Sequence, residues 1–344
     1  MAKSIKYIFI VCVLYLSAIA GPAAAADTNE TAVSVEKITT LNSTTSEVCA
    51  LDIGRATGEV FFPITEPSDF ESDGPSSMAV DKDGRIYILD TFNFRVLILE
   101  DGKLVKTINY PECETKSKKY FGRDIAVSPD GKSVYILNHT AKNIFIYSNE
   151  GILTGTVNLA GEVAGPHKIS VTPDGDIAVR DEEGPAVAIY SRDGKLKSIT
   201  EGAYTANILN AEGYLYALGE FDDNGRDVIL VDPRGARDPR PYARIVNTVP
   251  KMTAFDYQII GADSDFNLYA LVVEQPQFDV SRPVVTKFDK NGKTVSRFSI
   301  PNFFGLGTAL PARQYAVSPA GGFYVFELGP GAKKFFVYKI AEAK

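Results

Sequence analysis

Residues 74 to 99 read Gly74-Pro75-Ser76-Ser77-Met78-Ala79-Val80-Asp81-Lys82-Asp83-Gly84-Arg85-Ile86-Tyr87-Ile88-Leu89-Asp90-Thr91-Phe92-Asn93-Phe94-Arg95-Val96-Leu97-Ile98-Leu99. Two apolar runs, Met78 to Val80 and Ile86 to Leu89, flank Asp83-Gly84. That pair closes a tight hairpin, because glycine accepts the positive φ such a turn requires. A polar break from Asp90 to Arg95 then leads to a third apolar run, Val96 to Leu99. Consecutive rather than alternating apolar residues mark strands covered on both faces. A small sheet of this kind cannot bury its own faces and needs neighbours.

The neighbours stand in the sequence. The phrase recurs six times, with turns at Asp83-Gly84, Asp130-Gly131, Asp174-Gly175, Glu212-Gly213, Asp265-Phe266 and Ala320-Gly321. A spacing of roughly 40 to 55 residues with only strands inside it predicts a β-propeller. A second glycine turn follows the third strand at Gly102, Gly151, Gly194, Gly235 and Gly292, and introduces a fourth strand in each case. The sixth unit lacks this turn and stops after Phe335 to Tyr338. An open ring would expose an unpaired apolar edge. The strand-like segment Val48 to Ile53 is therefore expected to complete the sixth blade, giving an all-β ring of six four-stranded blades. A seven-bladed WD-type ring is the rival, but the chain has no Trp and no seventh phrase.

The first unit resembles an NHL repeat. It carries that family's Pro75, the Ala79-Val80-Asp81, Asp83-Gly84 and Ile86-Tyr87 core, and the Asp90-Thr91, Asn93, Arg95-Val96 stretch. The second and third units keep part of the pattern, and the last three are degenerate. The resemblance implies a six-bladed ring of the TolB-like and NHL type, a group rich in interaction modules.

The chain ends bound the domain. Lys3 and Lys6, the apolar run Tyr7 to Ala20 and the alanines to Ala26 have the order of a secretory signal. The reading is a signal peptide over 1–26, a flexible leader over 27–46 and a propeller over 47–344, with a periplasmic or extracellular location. Nothing later is long and apolar enough to span a bilayer. A net charge of −7 with dispersed basic residues argues against nucleic acid as a partner. Once the signal and Cys12 are removed, Cys49 and Cys113 remain. A disulfide and a pair of separate buried thiols are both open readings.

Counting eight residues back from each turn places Ser76, Arg123, His167, Thr205, Gln258 and Arg313 at the start of the six inner strands. They are expected to ring the channel mouth. Arg123, Arg313 and His167 would form an anion trap there, through charge-assisted hydrogen bonds. The plain alternative is a hydrated mouth whose arginines brace loop carbonyls. His139 and His167 are the only histidines, a thin basis for zinc. Asp263, Asp265 and Asn267 with Glu274 imitate calcium-loop spacing, yet Leu268 occupies the position that requires glycine.

Two functional classes follow. The first is a non-catalytic exported binding or scaffold propeller that presents its loop face and polar mouth to another protein or a small anionic ligand, with no cofactor. The second is a metal-dependent hydrolase or lactonase resembling the gluconolactonase and strictosidine synthase propellers. In that reading Asp90, Asn138, Asp181 and Glu327 would hold calcium or zinc. Membership of a cell-surface assembly is a third possibility, on which the sequence is silent.

Overall fold

A computed structural model describes residues 42–61, 74–111, 113–115, 118–120, 122–159, 161, 163–172, 174–184, 186–201, 205–248, 254–277, 280–301, 313–329 and 333–342. The expected signal peptide and the leader up to residue 41 lie outside them. Strand β1 (Ser43–Asp52) comes first. Blade 1 follows with β2 (Ser77–Val80), β3 (Ile86–Asp90), β4 (Arg95–Glu100) and β5 (Lys103–Asn109). A hairpin absent from the sequence reading, β6 (Cys113–Thr115) with β7 (Lys118–Tyr120), separates it from blade 2. Blade 2 contains β8 (Gly122–Val127), β9 (Ser133–Asn138), β10 (Asn143–Ser148) and β11 (Leu153–Asn158). Blade 3 contains β12 (Pro166–Val171), β13 (Ile177–Asp181), β14 (Ala186–Tyr190) and β15 (Leu196–Glu201). Blade 4 runs through β16 (Thr205–Leu209), β17 (Leu215–Asp222), β18 (Gly225–Val231) and β19 (Arg240–Val246). Blade 5 runs through β20 (Ala254–Ala262), β21 (Leu268–Gln277), β22 (Val280–Phe288) and β23 (Thr294–Ser299). The last blade has β24 (Tyr315–Val317), β25 (Phe323–Leu328) and β26 (Lys334–Glu342).

The sixth sheet has the order β1-β26-β25-β24, so the first strand supplies the outer strand of the last blade. It begins at Ser43 rather than Val48, and pairs antiparallel with β26 from Ser43 opposite Glu342 to Asp52 opposite Lys334. The inner strands touch in the cycle β2, β8, β12, β16, β20, β24 and back to β2, which closes a six-bladed propeller.

Strand alternation explains why one strand can be buried throughout. In β3, Ile86 and Ile88 join the cluster shared with blade 6, whereas Tyr87 and Leu89 join the cluster shared with blade 2. Successive side chains point to opposite faces, so an uninterrupted apolar run serves two interfaces. Each of the six blade-to-blade interfaces has such a cluster. Among the described residues the thinnest joins blades 3 and 4, where Ala178, Val187, Ile189 and Leu215 are the buried members.

Turn chemistry agrees with the sequence reading. Gly84, Gly131, Gly175, Gly213 and Gly321 all have positive φ, and Phe266, which stands where the fifth unit lacks glycine, takes φ 60°. Asp263 stabilises that turn by accepting the backbone N–H groups of Asp265 and Asn267, with Leu268 entering β21 directly.

The Asp90-to-Arg95 stretch acts as a latch on the N-terminal segment. Asp90 Oδ2 accepts Asn93 Nδ2 at 2.7 Å and Arg95 Nε at 2.8 Å, while its Oδ1 accepts the Phe61 N–H at 3.1 Å. Arg95 Nη2 in turn donates to the carbonyls of Ala56 and Glu59 at 3.0 and 2.7 Å. The chain leaving β1 is thus tied to blade 1 by the residues that carry the repeat resemblance.

Cys49 is an unbonded thiol, 4% exposed and packed in the cluster between blades 6 and 1. The bond to Cys113 that the sequence left open is not formed at Cys49, whose side chain is turned into an apolar interface. Burial pushes this thiol up to about 12, against a smaller opposing effect of the Val337 backbone. A raised folded-state value contributes stability that is present at and below the ordinary thiol range, about 8.5, and is lost as pH rises towards the folded value. Cys49 is therefore expected to resist a thiol reagent in the native protein at pH 8 and to react on denaturation. Fast native labelling would contradict its burial.

Candidate functional site

A channel of about 1060 Å³ runs along the ring axis and is lined by residues of all six inner strands. Arg123, His167, Gln258 and Arg313 converge on it although they come from four blades. Backbone irregularity decides which side chains enter. In β8 the register slips between Gly122 and Asp124, leaving Arg123 as the extra residue, and in β12 it slips between Pro166 and Lys168, leaving His167. A bulge re-aims side chains locally. This lets neighbours as close as His167 and Lys168 share the channel wall, which strict alternation forbids.

The remaining members of the expected ring behave differently. Ser76 is 1% exposed and spans blades 1 and 2, with its Oγ donating to the Gly122 carbonyl at 3.2 Å. It braces the ring wall rather than the mouth. Thr205 begins β16, but its side chain lies outside the described residues. Gln258 donates through Nε2 to Asp256 of its own strand.

Arg313 is both channel-lining and braced. Its Nη2 donates to Asp124 Oδ2 at 2.8 Å and to the Ile169 carbonyl at 2.6 Å, reaching from blade 6 to blades 2 and 3. Asp124 is fully buried, and also accepts the Ile169 N–H at 2.8 Å and the Ser77 hydroxyl. One carboxylate thus joins four blades, a role the sequence reading missed because Asp124 sits among ordinary repeat residues. The expectation that both arginines are free for a ligand holds better for Arg123, whose contact is a 3.4 Å approach of Nε to His167 Nδ1. Glu182 Oε2 lies closer to that nitrogen, at 2.7 Å, which places the imidazole proton on Nδ1 facing the carboxylate. Burial and the nearby Arg123, Lys168, Arg180 and His139 push His167 down to about 3, so the ring is neutral. His139 turns elsewhere, pairing through Nδ1 with the Pro166 carbonyl at 2.8 Å.

Lys168 is the residue the sequence reading passed over. It lines the channel, and its ammonium has no hydrogen-bond or ion-pair partner among the described residues. Burial, then Arg313 and Arg180, push it down to about 8, while Asp124 and Glu182 pull the other way. The lining therefore gathers Arg123, Lys168 and Arg313, with Arg180 nearby, against the lining carboxylates Glu182 and Asp263 and the buried Asp124 that holds Arg313. Charge-assisted hydrogen bonds to such a wall gain strength where water is partly excluded.

The four candidate metal ligands occupy comparable positions in separate blades and already hold protein groups. Asp90 binds Phe61, Asn93 and Arg95 as described above. Asn138 Oδ1 accepts the Ala141 N–H at 3.0 Å. Asp181 accepts four backbone N–H groups, from Ala164, Gly165, Glu183 and Gly184. Burial would raise its carboxyl, but these donors hold it below the ordinary value. Glu327 is raised by burial and accepts a hydrogen bond from Tyr338. Among the described residues no group of three or more His, Cys, Asp or Glu side chains converges as a metal cage.

Comparison with known proteins places the fold in company. A family model for seven-bladed β-propeller lactonases matches residues 71–209, under half of the chain and ending within blade 4 of six. No sequence among the curated proteins matches the chain. Similar solved structures include a streptogramin B lyase at 15% identity, covering 88% of this chain and 98% of that one with a TM-score of 0.50. The virginiamycin B lyase of Staphylococcus aureus follows at 15% identity, 88% and 100% coverage and a TM-score of 0.47. A DUF4221 family member from Bacteroides vulgatus has 13% identity, 89% and 100% coverage and a TM-score of 0.47. What the chain shares with the streptogramin B lyase is the propeller fold.

Proposed function

We propose that this chain is an exported propeller that binds a small organic anion in its central channel. The observation that carries the reading is the Lys168 ammonium, without a hydrogen-bond or ion-pair partner among the described residues, on a wall shared with Arg123, beside Arg180 and Arg313, around a cavity of small-molecule size. Concave sites with a few convergent polar groups are where small ligands bind. A small ligand is favoured over a protein partner because the unpaired charge lies inside the channel rather than on the outer blades. A panel of small carboxylates and phosphates, followed by titration calorimetry, tests this. Arg123→Ala and Lys168→Ala are each expected to weaken binding by about 10- to 100-fold, the equivalent of roughly 1.5 to 3 kcal/mol for a hydrogen bond to a charged group. Melting temperature should hold. Variants that lose stability while binding unchanged would identify the two cations as braces and overturn the reading.

The partial lactonase match supports a second reading, a metal-dependent hydrolase working in the same channel. It predicts about one tightly bound calcium or zinc per chain in protein purified without chelator, and lactone hydrolysis that EDTA abolishes. Anion binding that survives complete metal removal favours the binder.

A further inference from the structure

We propose that Lys168 captures a small 2-oxo acid as an imine inside the channel. The inference rests on the channel-binding reading and deepens it by naming the ligand class. Arg313 has partners in Asp124 and the Ile169 carbonyl, and the neutral His167 faces Glu182, with Arg123 3.4 Å from its ring. Lys168 has none among the described residues, although it stands beside His167 on the same wall. An amine that is neither ion-paired nor hydrogen-bonded keeps its lone pair available once deprotonated.

Its surroundings favour deprotonation. Burial and the guanidinium groups of Arg313 and Arg180 oppose a further positive charge, and they outweigh Asp124 and Glu182, leaving the group near 8. A desolvated lysine beside other cations is the arrangement that makes an ε-amine nucleophilic near neutral pH. The ligand class follows from two functions that line the same channel. Arg123 offers a guanidinium fork suited to a carboxylate, and Lys168 offers an amine suited to an adjacent carbonyl. In the step itself, the Nζ lone pair attacks the carbonyl carbon and a C–N bond forms. The carbonyl oxygen departs as water with the two amine protons, leaving C=N. Atoms and electrons balance without any oxidant or reductant.

The experiment incubates the full chain with pyruvate, adds sodium borohydride and maps modified peptides by mass spectrometry. The expected result is one secondary-amine adduct per chain, at least tenfold more abundant at Lys168 than at any other lysine. Excess succinate, which has carboxylates but no ketone, should suppress it. Trapping should rise as pH is taken through about 8 and then level off. Lys168→Arg, whose guanidinium cannot form the imine, should give no adduct at position 168. Pyruvate binding by the unmodified chain with no borohydride-dependent adduct at Lys168 would overturn the imine and leave the anion channel standing. Absence of binding by both pyruvate and succinate would remove the channel reading as well. Labelling spread evenly over the lysines would also overturn the proposal, and this peptide map decides the matter even if the variant fails to fold.

Discussion

Deleting residues 1–41 should leave a soluble, cooperatively folding ring, whereas deleting residues 1–53 should abolish it. The longer truncation removes β1, whose backbone pairs with β26 from Ser43 to Asp52. It also removes Cys49 and Leu51 from the cluster that holds Phe335, Val337, Met78 and Ile88. Burial of a large apolar side chain contributes about 1.5 to 3 kcal/mol. Loss of Leu51 and the smaller Cys49, exposure of the residues they cover and a freed strand edge together rival the 5 to 15 kcal/mol that typically separates folded from unfolded domains. Both truncations retain Ala56, Glu59 and Phe61, the groups that Asp90 and Arg95 hold, so the difference between them falls on β1. Circular dichroism melts and size-exclusion chromatography check the outcome. Aggregation is expected for the longer truncation only, and equal melting temperatures for the two would refute closure by β1 as the source of stability.

Asp124→Ala is expected to cost about 3 to 5 kcal/mol, among the largest effects of any single substitution in this chain. The carboxylate accepts from Ser77, Ile169 and Arg313, and is wholly buried. Its removal leaves Arg313 uncompensated in the ring wall and the Ile169 N–H without its acceptor. Breaking a buried pair from one side is strongly destabilising for this reason, while replacing both partners is far milder. The double variant Asp124→Ala/Arg313→Met should accordingly recover a substantial part of the loss. Urea melts of the two single variants and the double variant form the cycle. Strict additivity would show that the pair does not join the blades energetically.

The same geometry explains what could be read in advance. Blade number, strand positions and the closing role of the N-terminal strand were legible because each depends on local rules: apolar runs, glycine at positive-φ turns, and a sixth phrase lacking its fourth strand. Convergence of Arg123, His167, Gln258 and Arg313 was also legible, since equivalent positions in a ring share a radius. Ser76 broke the rule because a short side chain at that position reaches the neighbouring Gly122 carbonyl instead of the axis. Hairpin β6–β7 escaped notice because the segment between blades 1 and 2 has no apolar alternation or glycine turn.

By itself, then, the sequence determined a propeller of six blades and the strand that closes it, because periodicity and turn chemistry are properties of neighbouring residues. Only the tertiary structure decided which charges meet across the axis. Lys168 is one residue beyond a predicted site position, and a bulge at His167 turns it into the channel. Asp124 is one residue beyond Arg123, and becomes the junction of four blades because Arg313 arrives from the far end of the chain. A one-residue slip in register redirects a side chain, and a ring brings distant blades into contact. Neither effect leaves a periodic trace in the sequence.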